Sequence, residues 1–259
     1  MFLRKTHIKM IWTGLAFFII SSSANAQTSQ VKMAFIGNSI TAGVYDYKKL
    51  DQQVSYATQF DNLMQKVYGD TLEILNAGVS GRMMTKHGPQ PIWIEPKFKK
   101  ALDFAPDICV IALGTNDSKP VLYDLVQKEF YADYQDMIDT FRYVNPNVTF
   151  VVCLPPPIWK GHPYSPDSPH NDTLLVKYTI PLIDSIAKNN HLIIVDFHTP
   201  FLDSPQYFSD HLHPNVEGHK KMGKILFDEF MEKNIIGKTL LLKDSVEAVE
   251  TKNTKLNEN

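Results

Sequence analysis

The sequence predicts an α/β fold in three layers, with helices on both faces of a five-stranded parallel sheet. Three observations lead there. Five short apolar runs rich in branched residues recur along the chain, stretches with helical apolar spacing lie between them, and no internal repeat is visible. A sheet covered on both faces asks for strands that are apolar throughout rather than alternating, and these runs have that character.

The elements follow in order. Val31 to Ile36 reads as the first strand, and Tyr56, Phe60, Leu63, Met64 and Val67 behind it mark an amphipathic helix. Leu72 to Leu75 and Ile108 to Leu113 are the second and third strands. Phe130, Tyr134, Met137, Ile138 and Phe141 form another helical stripe, ahead of strands Val148 to Leu154 and Leu192 to Phe197. Met222, Ile225, Leu226 and Phe230 give the last stripe. All these stripes are expected to be core, because amphipathic packing requires them. Residues 237–259 become charged and polar after Leu242 without a sustained apolar period, and are expected to form a mobile, disordered tail.

At 259 residues and 44% hydrophobic content, the chain can bury one full core, expected over residues 27–236. A net charge of −2 lacks the basic surplus that condenses on phosphate backbones, so nucleic acid is not an expected partner. Arg4, Lys5 and Lys9, then Met10 to Ile20, then Ala24-Asn25-Ala26 have the three parts of an export leader over residues 1–26, cleaved after Ala26. The apolar part is shorter than the ~20 residues of a membrane span, so a secreted or periplasmic protein with no stable membrane insertion is expected. Cys109 and Cys153 each lie in an apolar run and are expected to be free, buried thiols.

Two segments carry the chemistry. Ser39 directly follows the first strand, at the carboxyl end where open α/β sheets place ligands, and Asp210-His211-Leu212-His213-Pro214 lies near the far end. A serine hydroxyl needs an imidazole to take its proton, and that imidazole needs an acid to fix its tautomer. Asp210 stands three residues before His213, so one loop can deliver both. Acyl transfer further needs donors for the oxyanion, and two strand-end segments can supply them: Asn76-Ala77-Gly78-Val79-Ser80-Gly81-Arg82 and Gly114-Thr115-Asn116-Asp117. The bland alternatives are an ordinary turn at Gly37-Asn38-Ser39 and a helix-capping loop at Asp210. Asp210, His211 and His213 also suggest a metal cluster, but no second group has ligand spacing, so no metal is expected.

In their order and positions these blocks resemble the SGNH hydrolases, also called the GDSL esterases. Gly37-Asn38-Ser39-Ile40-Thr41 is similar to the family's first block, Gly81 to the second, Gly114-Thr115-Asn116-Asp117 to the third, and Asp210-x-x-His213-Pro214-Asn215 to the last, over about Val31 to Asn234. The resemblance implies a flavodoxin-like SGNH-hydrolase fold with no cofactor. It implies Ser39 as nucleophile, His213 as base and Asp210 as orienting acid, with the Ser39 and Gly81 amides and the Asn116 side chain as oxyanion hole. Asn38 departs from the family, which has Asp before the serine; an amide keeps the shape and loses the charge.

Within the family the chain is similar to bacterial carbohydrate O-acetylesterases, including sialate and polysaccharide acetylesterases. This implies removal of acetyl groups from an acylated carbohydrate or other small ester. A lysophospholipase or thioesterase would share all the catalytic residues and differ only in the acyl pocket; a non-catalytic glycan-binding module would keep the fold and pocket but has no chemical reason to hold Ser39, Asp210 and His213 together. The loops over residues 82–96 and 155–172 are the expected substrate walls, with Asn38, Arg82, Trp93, Asp117, Trp159 and Tyr164 as candidate contacts. His162, His170, His198 and His219 are expected to be surface or satisfied structural residues.

Overall fold

A computed structural model describes residues 30–159, 170 and 172–257. The proposed leader, His162 and the candidate contact Tyr164 lie outside these residues.

Strand β1 (Val31–Gly37) leads into a short helix α1 (Ser39–Ala42) and a two-stranded ribbon, β2 (Val44–Tyr45) and β3 (Lys49–Leu50). Helix α2 (Tyr56–Tyr68), strand β4 (Leu72–Asn76), helix α3 (Pro96–Phe104) and strand β5 (Ile108–Ala112) follow. Helix α4 (Tyr123–Val144) and strand β6 (Thr149–Leu154) come next. A short α5 (Asp172–Leu174) then continues through a π turn into α6 (Ile180–Asn190), followed by β7 (Ile193–Asp196), α7 (Val216–Glu232) and α8 (Ile235–Asn257). All five expected strands form, each within two residues of its sequence bounds.

The main sheet has the order β4-β1-β5-β6-β7, and every pairing is parallel. Counting main-sheet strands alone, this is the order 2-1-3-4-5 of flavodoxin-like folds, whose direction of winding reverses between the first and third strands. That switch point lies between the ends of β1 and β5, where Ser39 and Asn116 are found.

Period-two alternation divides β1 between the two cores. Ala34 and Ile36 pack with α3, α4 and α6, whereas Met33 and Phe35 pack with α2 and α7. The second face is aromatic, with Phe60 against Phe230 at 4.8 Å and Tyr56 against Phe197 at 5.3 Å between ring centroids. Three layers result, as expected, and Cys109 and Cys153 are free and buried within them.

The polar end of the chain departs from the expected mobile tail. Residues 235–257 form helix α8, because Ile235 and Ile236 are buried in the α2/α7 core and anchor its first turn. Lys243 then bridges to Asp107 Oδ2 at 2.7 Å and to the Gln30 carbonyl at 2.8 Å. The segment lacks a sustained apolar stripe of its own, and packing of its first turn together with the Lys243–Asp107 pair holds it against the domain instead. Among the described residues, no helix is long and apolar enough to cross a membrane.

Candidate active site

The first strand ends in a turn that only glycine permits. A Cβ at Gly37 would stand 1.9 Å from Thr41 Oγ1 and 3.0 Å from the Ala112 carbonyl, so the chain passes close beneath α1. Asn38 caps α1, its Oδ1 accepting from the Ile40 amide at 2.9 Å, and Ser39 is the first residue of that helix. The serine therefore sits at a rigid strand-to-helix corner.

His213 reaches it from the loop before α7. Its Nε2 lies 3.0 Å from Ser39 Oγ, across 174 positions of sequence, and its Nδ1 lies 2.7 Å from Asp210 Oδ2. The other carboxylate oxygen, Asp210 Oδ1, accepts from the backbone amides of His213 at 2.6 Å and Leu212 at 3.1 Å. Burial alone would raise the Asp210 carboxyl, but the hydrogen bonds and charge of His213 together with these amides outweigh it and hold the group at about 2. A fully ionised Asp210 accepts the Nδ1 proton, which leaves Nε2 with its lone pair toward the serine hydroxyl.

Gly81 and Asn116 line the same cleft as Ser39 and His213, a space of about 410 Å³. Gly81 has φ +78°, a left-handed conformation that a side chain would strain. The Asn116 amide is clamped: its Nδ2 donates to the Arg82 carbonyl at 2.9 Å, and its Oδ1 meets His170 Nε2 at 3.0 Å.

His170 thus lies in the site, although the sequence suggested only a surface or structural residue. The β2–β3 ribbon is also new, and it contributes Val44, Lys48 and Leu50 to the cleft. Its turn runs through Asp46, Tyr47 and Lys48 at φ 30°, 57° and 69°, left-handed without a glycine, so no turn signal marked it. Ser209 Oγ donates to Asp46 Oδ1 at 2.6 Å and ties the ribbon to the loop that carries His213.

The other candidate contacts lie elsewhere. Asn38 is 2% exposed beneath the cleft as a helix cap. Arg82 pairs with Glu95 at 2.6 Å, donates from Nη1 to the Ser80 carbonyl at 3.3 Å, and accepts from Asn116 at its own carbonyl. Trp93 donates to the Met84 carbonyl at 2.7 Å, packs on Phe98 and carries Lys86 over its ring, so the 82–96 loop folds onto the α3/α4 side of the sheet. Asp117 is buried and accepts from the Met84 and Thr85 amides, each at 3.1 Å, and from the Thr85 hydroxyl at 3.0 Å; it pins that loop rather than a ligand. Trp159 packs against the core on the α2/α7 face, and its backbone amide donates to the His211 carbonyl.

Two histidines off the cleft have structural tasks. His198 bonds to the Pro155 carbonyl, and its amide, with that of Thr199, closes a turn on Asp196. His219 is fully buried: its Nδ1 accepts from the Tyr56 amide and its Nε2 donates to the Val44 carbonyl. Burial holds its pKa down to about 4, so it is neutral and supports the ribbon behind the site.

The sequence pattern of the GDSL-like lipase/acylhydrolase family matches residues 35–221, and the chain belongs to that family. The class is that of carboxylic ester hydrolases. An acetylxylan esterase of Xylanibacter ruminicola is 33% identical over 216 residues, covering 76% of this chain and 42% of that protein. The chain therefore spans less than half of that relative's length. Among solved structures, the acetyl xylan esterase AlAXEase superposes with a TM-score of 0.58 at 22% identity, over 76% of this chain and 98% of that one. Est24, a carbohydrate acetylesterase from Sinorhizobium meliloti, superposes at 0.59 with 16% identity, over 78% and 99%.

Proposed function

We propose that the protein is an exported serine esterase that removes short acyl groups, acetyl above all, from carbohydrates through an acyl-enzyme. The observation that carries this reading is the continuous line from Ser39 Oγ to His213 Nε2 and from His213 Nδ1 to Asp210, at 3.0 Å and 2.7 Å.

In the first step His213 Nε2 takes the serine proton as Oγ bonds to the ester carbon, and the carbonyl oxygen becomes an oxyanion. The Ser39 and Gly81 amides and the Asn116 side chain are its donors. The carbon–alkoxy bond then breaks, and the proton on Nε2 leaves with the sugar hydroxyl. Water next attacks the acyl-serine, gives its proton to Nε2, and releases the acid as Ser39 regains its hydrogen. Asp210 stays ionised throughout and balances the imidazolium.

The cleft supports a small acyl group on a soluble alcohol, since about 410 Å³ suits an acylated sugar and, among the described residues, the apolar side chains at its wall are Val44, Leu50 and Leu212. The named activities of the relatives favour the same substrate class. The leader pattern of residues 1–26 supports export to the periplasm or beyond, with cleavage after Ala26. The test compares acetate with octanoate p-nitrophenyl esters and follows acetate release from acetylated xylan. Higher kcat/KM on octanoate, with no acetate released from the polymer, would replace this reading with a lipase.

A further inference from the structure

The charge of the cleft is one-sided. Lys48 and Lys119 line it beside Ser39 and His213, and no carboxylate among the described residues does. Four lysines elsewhere on the surface, Lys86, Lys188, Lys224 and Lys243, each lie within bonding distance of an aspartate. No such partner among the described residues meets Lys48 or Lys119.

The two come from loops at the ends of β1 and β5, on either side of the switch point. Lys119 is half-buried, and burial lowers its pKa, with the Asp117 charge acting in the opposite sense. Asp117 is already occupied by the Met84 and Thr85 donors, and it does not line the cleft. Lys48 is exposed at the left-handed ribbon turn, where the Asp46 side chain accepts from Ser209 Oγ. Two ammonium groups at a binding cleft with no carboxylate in bonding distance among the described residues, one of them feeling only the already hydrogen-bonded Asp117, favour a ligand that brings a further counter-charge.

We propose that Lys48 and Lys119 form an anion subsite, so that the preferred ester is an acetylated glycan bearing a negatively charged sugar close to the acetyl group. The assignment rests on the glycan esterase reading above and narrows its substrate class. A carboxylate held between the two lysines would set the register of the chain and place one acetyl group at Ser39.

Acetylated xylo-oligosaccharides with and without a glucuronic acid branch test it. The readout is the ratio of kcat/KM for the acidic over the neutral oligosaccharide, which a general loss of activity leaves unmoved. The wild type should favour the acidic one by about fivefold or more at low salt, the size of a partly exposed charge pair. That preference should shrink in about 0.5 M salt. Lys119→Gln and Lys48→Gln should each lower the ratio several-fold, and Lys119→Arg should keep it. Equal kcat/KM on both oligosaccharides, or an unchanged ratio in the doubly substituted protein, overturns the subsite and leaves the esterase reading standing. If p-nitrophenyl acetate is hydrolysed and neither oligosaccharide loses acetate, the glycan reading falls and this assignment with it.

Discussion

His170 Nε2 and Asn116 Oδ1 lie 3.0 Å apart, and this contact decides which end of the asparagine amide faces the cleft. The opposite end of the same amide donates to the Arg82 carbonyl, which can only accept, so the oxygen must point to His170 and the ring must donate from Nε2. His170→Ala should therefore lower kcat by about tenfold, less than loss of an oxyanion donor itself. His170→Gln, which can still donate, should recover part of it. Steady-state kinetics on p-nitrophenyl acetate decide, and an unchanged kcat in the alanine variant would remove His170 from the site.

Loss of the donor should cost more. Asn116→Ala is expected to lower kcat by about a hundredfold to a thousandfold with a cooperative thermal transition retained. A rate near wild type would place the oxyanion elsewhere.

The nucleophile is testable by covalent capture. A fluorophosphonate should modify Ser39, located by peptide mass spectrometry, and His213→Ala should slow the labelling severely because no base then takes the proton. A protein that only binds glycans would stay unlabelled.

Asn38 gives a prediction about stability rather than chemistry. Its Oδ1 caps α1, so Asn38→Ala should cost about 1 kcal/mol in urea denaturation. Asn38→Asp, which retains an acceptor for the Ile40 amide, should leave activity within a few-fold of wild type. A large kinetic loss in the aspartate variant would show that neutrality at this position matters to the reaction.

His219 predicts a pH dependence of folding. Its pKa falls from 6.5 to about 4 on folding, so below pH 6.5 the unfolded chain binds a proton that the native state refuses. Stability should be level above pH 6.5 and decline by about 1.4 kcal/mol per pH unit from there toward pH 4. Asp210 adds a second loss as pH drops from 3.8 toward about 2, since its carboxyl is depressed in the folded state. His219→Gln should flatten the first decline; an identical slope in that variant, measured by urea titration at several pH values, would assign the effect to another group.

The five strands, the helices α2, α4 and α7, and the placing of Ser39 at a strand end and of Asp210 with His213 in one loop were legible in the chain, because each depends on short-range pattern; α3 and α6 were not. Branched apolar runs make buried strands, and a carboxylate three residues before a histidine shares its loop. The β2–β3 ribbon was not legible, since its turn uses Asp46, Tyr47 and Lys48 in left-handed conformations that no local signal announces. Helix α8 was missed for a related reason: its anchor is the burial of Ile235 and Ile236 against distant helices, not its own periodicity.

By itself the sequence determined the layered fold, the strand ends and the family, because backbone propensity and apolar period act over a few residues. Only the tertiary structure decided which side chains share the cleft. It sent Trp93, Arg82 and Asp117 into packing and pinning of their own loop, and brought His170, Lys48 and Lys119 beside Ser39. Side-chain direction at a loop is set by whichever distant partner satisfies its polar atoms, and that partner is fixed when the sheet assembles.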